Sequence, residues 1–161
     1  MDEGADERRR ARERSILAAA QAWENVFHGN ASGIDAAAAY HGGCLWFTRA
    51  AGAHALAPGA ALELCVAVAG PAASTRVMVE RVAEHKRREP ARAEHTLAAI
   101  GELVEQAKNA LEGADWPRLG ALLDNNHVLL AELGVSTPEL ERACNRARQA
   151  GALGAKLTGG G

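Results

Sequence analysis

The stretch His28-Gly29-Asn30-Ala31-Ser32-Gly33-Ile34-Asp35 places two glycines, two short polar side chains, an imidazole and a carboxylate between two segments with helical patterning. Glycine allows positive φ angles and a close approach to a ligand, while Asn and Ser offer adaptable donors and acceptors. The stretch therefore predicts a loop that holds a ligand. The same residues also fit an ordinary helix-loop-helix connection in which Asp35 caps the second helix.

A helix is predicted immediately before this loop. Four large apolar residues recur there at helical spacing: Ile16, Trp23, Val26 and Phe27. Their spacing predicts a helix that begins near Ser15, has one apolar stripe with Trp23 in the core, and carries Glu24 one turn before the loop. Residues 1–14 are mostly charged or alanine, and we expect them to form a solvated helix start or a disordered extension.

The residues after the loop predict a short helix and two strands. The helix covers residues 35–40 and ends at Gly42-Gly43. Apolar runs over residues 44–48 and 62–69 predict two strands, which pair across a turn at Pro58-Gly59.

Most of the remaining sequence is predicted to be helical. Helical spacing and Pro or Gly boundaries predict helices over 74–88, 93–111, 116–133 and 137–149, and residues 153–158 predict a strand. Several helices with few strands indicate an α+β fold, with helices packed on one face of a small, mostly antiparallel sheet. A chain of 161 residues is long enough for one sizeable core.

Composition and charge exclude several classes of partner. The 18 basic residues are interleaved with 20 acidic ones, and the net charge of -2 gives no reason to expect nucleic acid as a partner. No run reaches the ~18 continuous apolar residues that a membrane span needs, and no signal-like block follows the N-terminal charges, so we expect a cytoplasmic protein. Cys44, Cys65 and Cys144 lack metal-ligand spacing and are predicted to be buried, reduced thiols.

Several segments together share their order and chemistry with one protein family. They are Glu24-Asn25-Val26-Phe27 with the loop that follows, Tyr40-His41-Gly42-Gly43, Gly70-Pro71-Ala72-Ala73-Ser74-Thr75-Arg76, Asp124-Asn125-Asn126-His127-Val128-Leu129-Leu130 and Gly151-Ala152-Leu153-Gly154-Ala155-Lys156-Leu157-Thr158-Gly159-Gly160-Gly161. In this order the chain resembles the mevalonate kinases, a family of the GHMP small-molecule kinase superfamily, from about Ser15 to its end. The resemblance implies a GHMP kinase C-terminal region at 15–161 after a charged extension at 1–14, with a substrate loop at 24–35 and the C-terminal domain from residue 43.

The same resemblance implies an ATP-dependent phosphorylation of mevalonate in isoprenoid synthesis, with Mg²⁺ and ATP. Asp35 would be the catalytic carboxylate at the mevalonate hydroxyl, and Glu24 would hold Mg²⁺. The implied substrate-binding residues are His28, Gly29, Asn30, Ser32 and Thr75, and the implied active-site loop is Gly159, Gly160 and Gly161. Ala31 stands where the family usually has proline, which is expected to loosen the loop.

Simpler roles remain open for some of these residues. Ser74 or Thr75 would also serve as an ordinary helix cap, and His127 and Asp124 would also serve to order a helix near the site. The terminal glycines would also fit a flexible tail.

One expected part of a GHMP kinase is not in the sequence. No glycine- and serine-rich loop of the pattern Pro-x-x-x-Gly-Leu-Gly-Ser-Ser-Ala, which holds ATP phosphates in this superfamily, precedes Glu24. Two hypotheses follow. In the first, the chain is the C-terminal portion of a kinase, which is inactive alone and can form a homodimer. In the second, it is a non-catalytic ligand-binding or interaction module derived from a GHMP kinase.

Overall fold

The computed structural model describes residues 3–28, 31–70 and 75–159, except for the side chains of residues 3, 27, 28 and 75. These residues form six helices and two strands in two compact units, 1–57 and 58–161. The elements are α1 (Glu3–His28), α2 (Ile34–His41), β1 (Cys44–Thr48), β2 (Gly52–Leu56), α3 (Thr75–Arg88), α4 (Pro90–Glu112), α5 (Trp116–Glu132) and α6 (Pro138–Gln149). No helix among these residues is long and apolar enough to cross a bilayer.

The first unit consists of α1, α2 and an antiparallel hairpin. Helix α1 begins within the charged N-terminal residues, so most of the predicted extension is helical, as one of the two expected outcomes. Helix α2 packs against α1 and against both strands, and it ends at Gly42, whose φ is +65°. The predicted α+β class with a small antiparallel sheet is thus confirmed.

The pairing of the predicted strands is wrong. Strand β1 pairs with β2, with Cys44 opposite Leu56 and Thr48 opposite Gly52, through a tight turn at residues 49–51. Residues 62–69 form no ladder among the described residues, and Leu64, Val66 and Val68 are 73%, 85% and 92% exposed. Alternating apolar residues favour a strand only where a partner satisfies the backbone N–H and C=O groups.

The second unit is helical, as predicted, with clear boundary signals. Asp115 caps α5 by accepting the N–H of Arg118, and Thr137 caps α6 by accepting the N–H of Leu140. Pro90 begins α4 instead of only ending α3, because proline fits the first turn of a helix. Helix α4 packs against both α3 and α5.

The C-terminal segment is buried without being a strand. Residues 153–158 form no ladder with a described residue, which corrects the strand prediction. Leu157 is nevertheless 3% exposed and joins Met78 of α3 and Val135 in a buried apolar cluster. Hydrophobic burial and side-chain hydrogen bonds therefore hold this segment in place of sheet pairing.

Two glycines allow that segment to lie against α5. A Cβ on Gly154 would stand 2.6 Å from the Cα of Gly120, and a Cβ on Gly120 would stand 2.8 Å from the Cβ of Leu153. Both distances are far below van der Waals contact. The close approach of the two backbones therefore requires glycine at both positions.

Two groups of expected core residues are more exposed than predicted. Trp23 is 68% exposed and Val26 is also exposed, so the apolar stripe of α1 is not a core face of the described structure. Of the three free cysteines, only Cys144 is buried, while Cys44 is half-buried and Cys65 is exposed. Cys65 is exposed within residues 62–69, which have no neighbouring strand in the described part of the chain.

Candidate active site

The backbone of Ala31 anchors the predicted substrate loop to α1. Its N–H donates to Oδ1 of Asn25 at 2.8 Å, and its C=O accepts from Nε2 of Gln21 and from Arg49, each at 3.3 Å. Proline has no N–H and could not make the bond to Asn25. Side chains thus fix both backbone polar groups of Ala31, and the looser loop expected from the absence of proline stays a prediction.

Asp35 lies in the first turn of α2 but does not cap the helix. The N-cap residue is Gly33, with φ of +83°, and the C=O of Gly33 accepts the N–H of Ala37. Ser32 accepts the N–H of Ile34 through its Oγ at 3.3 Å. The Asp35 side chain is exposed and has no hydrogen bond or ion pair with a described residue. The helix start is thus built without its carboxylate.

Glu24 lies on α1 one turn before its C-terminal end. Its side chain is half-buried and makes no hydrogen bond or ion pair with a described residue. Its carboxylate oxygens therefore keep their lone pairs for another ligand. Among the described residues, no group of three or more His, Cys, Asp or Glu side chains forms a metal site.

Several predicted site residues lie wholly or partly outside the described residues. The positions of Gly29, Asn30, Gly160 and Gly161 are not described, nor are the side chains of His28 and Thr75. Gly159 is described, is exposed, and has a φ of +65°. Glu24, Ser32 and Asp35 belong to the first unit, and Gly159 belongs to the second.

In the second unit, Asp124 of α5 binds the backbone of the C-terminal segment. Its Oδ1 accepts the N–H of Ala155 at 2.9 Å and a hydrogen bond from Nη1 of Arg148 at 2.5 Å. The same Nη1 donates to the C=O of Ala155 at 3.2 Å. Both backbone polar groups of Ala155 are thereby satisfied by this ion pair.

His127 makes the next contact along the same face of α5. It is 2% exposed, and its Nδ1 accepts the N–H of Leu157 at 3.2 Å. The accepting Nδ1 places the proton of the neutral ring on Nε2. Nε2 lies 3.0 Å from Oε1 of Glu141, but the ring N–H is not directed well enough at that oxygen to form a hydrogen bond. His127 thus binds the backbone of the C-terminal segment.

Two groups near this segment, Lys156 and Cys144, have shifted proton affinities. Burial lowers the pKa of Lys156, whose Nζ donates to the C=O of Leu157 at 2.7 Å. Burial also raises the pKa of the Cys144 thiol, whose Sγ lies 3.9 Å from Nδ1 of His127. A protonated thiol is a poor nucleophile, so Cys144 is not suited to covalent catalysis.

An open groove of about 600 Å³ lies beside this network. Its lining residues are Asp124, Asn125, His127, Val128, Ala131, Glu132, Glu141 and Arg148. Sequence reasoning missed the contacts of Asp124 and His127 with residues 155–157. The available signal was their spacing of three, which puts both side chains on one face of a helix.

Comparison with known proteins identifies a matching family and several relatives of this chain. Residues 95–161 match the sequence family described as GHMP kinases C terminal. The mevalonate kinase of Thermococcus sibiricus is 35% identical over 143 residues, which are 86% of this chain and 42% of the relative. The mevalonate kinase of Aeropyrum pernix is 35% identical over 147 residues, which are 91% of this chain and 45% of the relative.

A solved structure extends the comparison to the fold. The crystal structure of L. major mevalonate kinase in complex with R-mevalonate superposes with a TM-score of 0.78 and 35% identity, over 92% of this chain and 47% of that chain. The chain thus spans less than half the length of the relatives it matches. Sequence and fold agree that the chain is homologous to the C-terminal portion of the mevalonate kinases, with the GHMP kinase C-terminal domain at residues 95–161.

Proposed function

We propose that this chain supplies the substrate loop, at residues 24–35, and the C-terminal domain, from residue 43, of an ATP-dependent mevalonate kinase. The reaction would form 5-phosphomevalonate for isoprenoid synthesis in the cytoplasm. The observation that carries the proposal is the Asp35 carboxylate, which stands at the end of an anchored loop and has no structural partner among the described residues. The bound R-mevalonate of the L. major homologue supports the same substrate.

Asp35 would orient the primary hydroxyl of mevalonate and accept its proton. The hydroxyl oxygen forms a bond to the γ-phosphorus of ATP, the bond from that phosphorus to the β,γ-bridging oxygen breaks, and ADP leaves. Phosphoryl transfer depends chiefly on positioning and charge neutralisation, so one free carboxylate near the hydroxyl is a sufficient base. His28, Gly29, Asn30, Ser32 and Thr75 would bind the rest of the substrate.

Glu24 fits the role of a Mg²⁺ ligand. Mg²⁺ in phosphoryl-transfer sites is usually held by one or two carboxylates together with substrate phosphates and water. The Glu24 carboxylate is half-buried and has no partner among the described residues, so it is available for this role. When bound, the ion would neutralise charge on the phosphates of ATP, and Gly159, Gly160 and Gly161 would form the active-site loop.

A segment replacement tests the proposal. Residues 15–161 would replace the homologous segment of the Pyrococcus furiosus mevalonate kinase, which is 36% identical over 143 residues. Mevalonate-dependent ADP formation by the fusion is the expected result, whereas the isolated chain should have no activity because it carries no ATP-phosphate loop. A fusion that folds, binds ATP and shows no mevalonate-dependent turnover would contradict the proposal.

A non-catalytic module derived from a GHMP kinase is the second candidate. In that case the fusion would bind mevalonate without turning it over. An in-frame Pro-x-x-x-Gly-Leu-Gly-Ser-Ser-Ala segment in the DNA upstream of Met1 would instead favour the kinase.

A further inference from the structure

The segment at residues 153–159 is ordered by side chains of the helix beside it. It forms no ladder with a described residue, yet Leu157 is almost fully buried. The N–H groups of Ala155 and Leu157, two residues apart, both point to α5. Amides of residues i and i+2 point to the same side in an extended strand. The segment therefore presents an edge of backbone donors to α5 as a strand would to its neighbour.

The acceptors on α5 match this edge. Asp124 and His127 are three residues apart on one helical face, which is about 4.5 Å along the helix axis. Amides two residues apart in an extended chain are separated by about 6.6 Å. The side chains of Asp124 and His127 need to diverge only slightly to accept from both amides. Arg148 completes the match, since it also donates to the C=O of Ala155.

The match specifies a single register. A slip by one residue would bring Lys156 to the position of Leu157 and remove Leu157 from its cluster with Met78 and Val135. The close approach of Gly120 and Gly154 would also be lost, since Leu153 would take the place of Gly154 and carries a Cβ. Gly159 lies two residues beyond Leu157, so the register of the segment fixes where the glycine run begins.

We propose that Asp124 and His127 are positioning residues, which set the register of residues 153–159 and so fix the start, at Gly159, of the glycine run that the kinase reaction would use. The role of the glycine run rests on the proposed kinase function. The register itself rests only on the contacts described above. Neither side chain touches substrate in this proposal, and both act through backbone N–H groups.

Amide hydrogen exchange in the 161-residue chain tests the register. His127→Leu should speed exchange at Leu157 by about tenfold or more beyond any change in α4, because its N–H loses its acceptor. His127→Gln keeps an acceptor oxygen and should restore most of the protection. His95→Leu, at an exposed position of α4, is the control and should leave Leu157 unchanged. Unchanged exchange at Leu157 in His127→Leu would overturn the proposal.

Kinetics of the fusion with the Pyrococcus furiosus enzyme test the consequence. His127→Leu should lower kcat by about tenfold or more with the KM for mevalonate within about threefold, and His127→Gln should recover most of kcat. Asp124→Asn keeps one acceptor oxygen and should lose less than Asp124→Ala. If folded His127→Leu keeps full kcat, the residue is only structural and the proposal fails. An unsubstituted fusion without turnover would count against the kinase function, while the exchange experiment still decides the register.

Discussion

The N–H of Leu157 donates to Nδ1 of His127 at 3.2 Å, and the two residues are 3% and 2% exposed. A backbone donor that has lost its acceptor at such a depth retains its full desolvation cost. Removal of the acceptor therefore destabilises the fold chiefly because it leaves the buried N–H of Leu157 unpaired.

This relationship predicts the stability of His127 variants. His127→Leu should lower the free energy of unfolding by about 1–3 kcal/mol, because the N–H of Leu157 stays buried without an acceptor. His127→Gln should lose less, since its amide oxygen can accept the bond. Urea denaturation of the 161-residue chain measures both, with His95→Leu as the exposed control. Equal stability of the Leu and Gln variants would show that the hydrogen bond does not determine the result.

Two helical glycines should respond in opposite ways to alanine. Gly120→Ala should destabilise the chain by about 1–3 kcal/mol, because the new Cβ would overlap the backbone of Leu153. Gly101 lies in α4 with open space around its Cα, and Gly101→Ala should stabilise by about 0.5–1 kcal/mol through helix propensity. Thermal unfolding compares the two, and a stabilising Gly120→Ala would refute the close packing of α5 on residues 153–154.

In the active fusion, substitutions of Asp35 and Glu24 should change different kinetic parameters. Asp35→Asn should lower kcat by about two to four orders of magnitude with a smaller change in mevalonate binding, because it removes the base and keeps the side-chain size. Glu24→Gln should raise the Mg²⁺-ATP requirement as well as lower the rate. Steady-state kinetics over a range of Mg²⁺ concentrations separate them. Near-normal kcat for Asp35→Asn would remove Asp35 from the catalytic role.

The three thiols should react at well-separated rates. Exposed Cys65 should be alkylated fastest, and buried Cys144 slowest, because burial both blocks access and raises the pKa of the Cys144 thiol. Mass spectrometry of iodoacetamide-treated native protein gives the order, with Cys65→Ser as the control that removes the fast site. Fast alkylation of Cys144 in the folded chain would show that α6 opens readily from α5.

Lys156 should make stability depend on pH in the alkaline range. Burial holds its pKa below the ordinary value of 10.5, so the unfolded chain binds this proton more tightly than the folded chain. The charged amine therefore disfavours the fold below the folded-state pKa, and this cost fades as the pH rises towards 10.5. The stability difference between Lys156→Met and the parent chain should shrink over that rise, whereas exposed Lys86→Met should give a flat difference.

The helices were predictable because local residues fix their ends. Asp115, Thr137 and Pro138 act at the positions where their chemistry predicts a helix start. The strand at residues 62–69 was predicted wrongly because apolar alternation favours a sheet but does not determine which strand pairs with it. Leu64, Val66 and Val68 form this alternating pattern and are exposed.

The residues of the substrate loop could be predicted from the sequence, but the contacts that hold the loop and the C-terminal segment could not. Ser32 and Asp35 could be named because glycines and short polar residues cluster around them. The anchoring of Ala31 depends on Asn25 and Arg49, one on a helix and one on a hairpin turn, so only the folded unit reveals it. The contact of His127 with Leu157 spans thirty positions, so the spacing of Asp124 and His127 indicates a shared helix face but not the partner of that face.

The bond between Ala31 and Asn25 also links the loop to the end of α1. Asn25 lies in the last turn of that helix, where helices fray first. A proline ring would restrict the backbone at position 31 regardless of the helix, whereas this hydrogen bond lasts only while the turn stays wound. Melting of the last turn of α1 consequently removes one of the three hydrogen bonds that hold Ala31, and a ligand that binds the loop with this bond intact also stabilises the helix end.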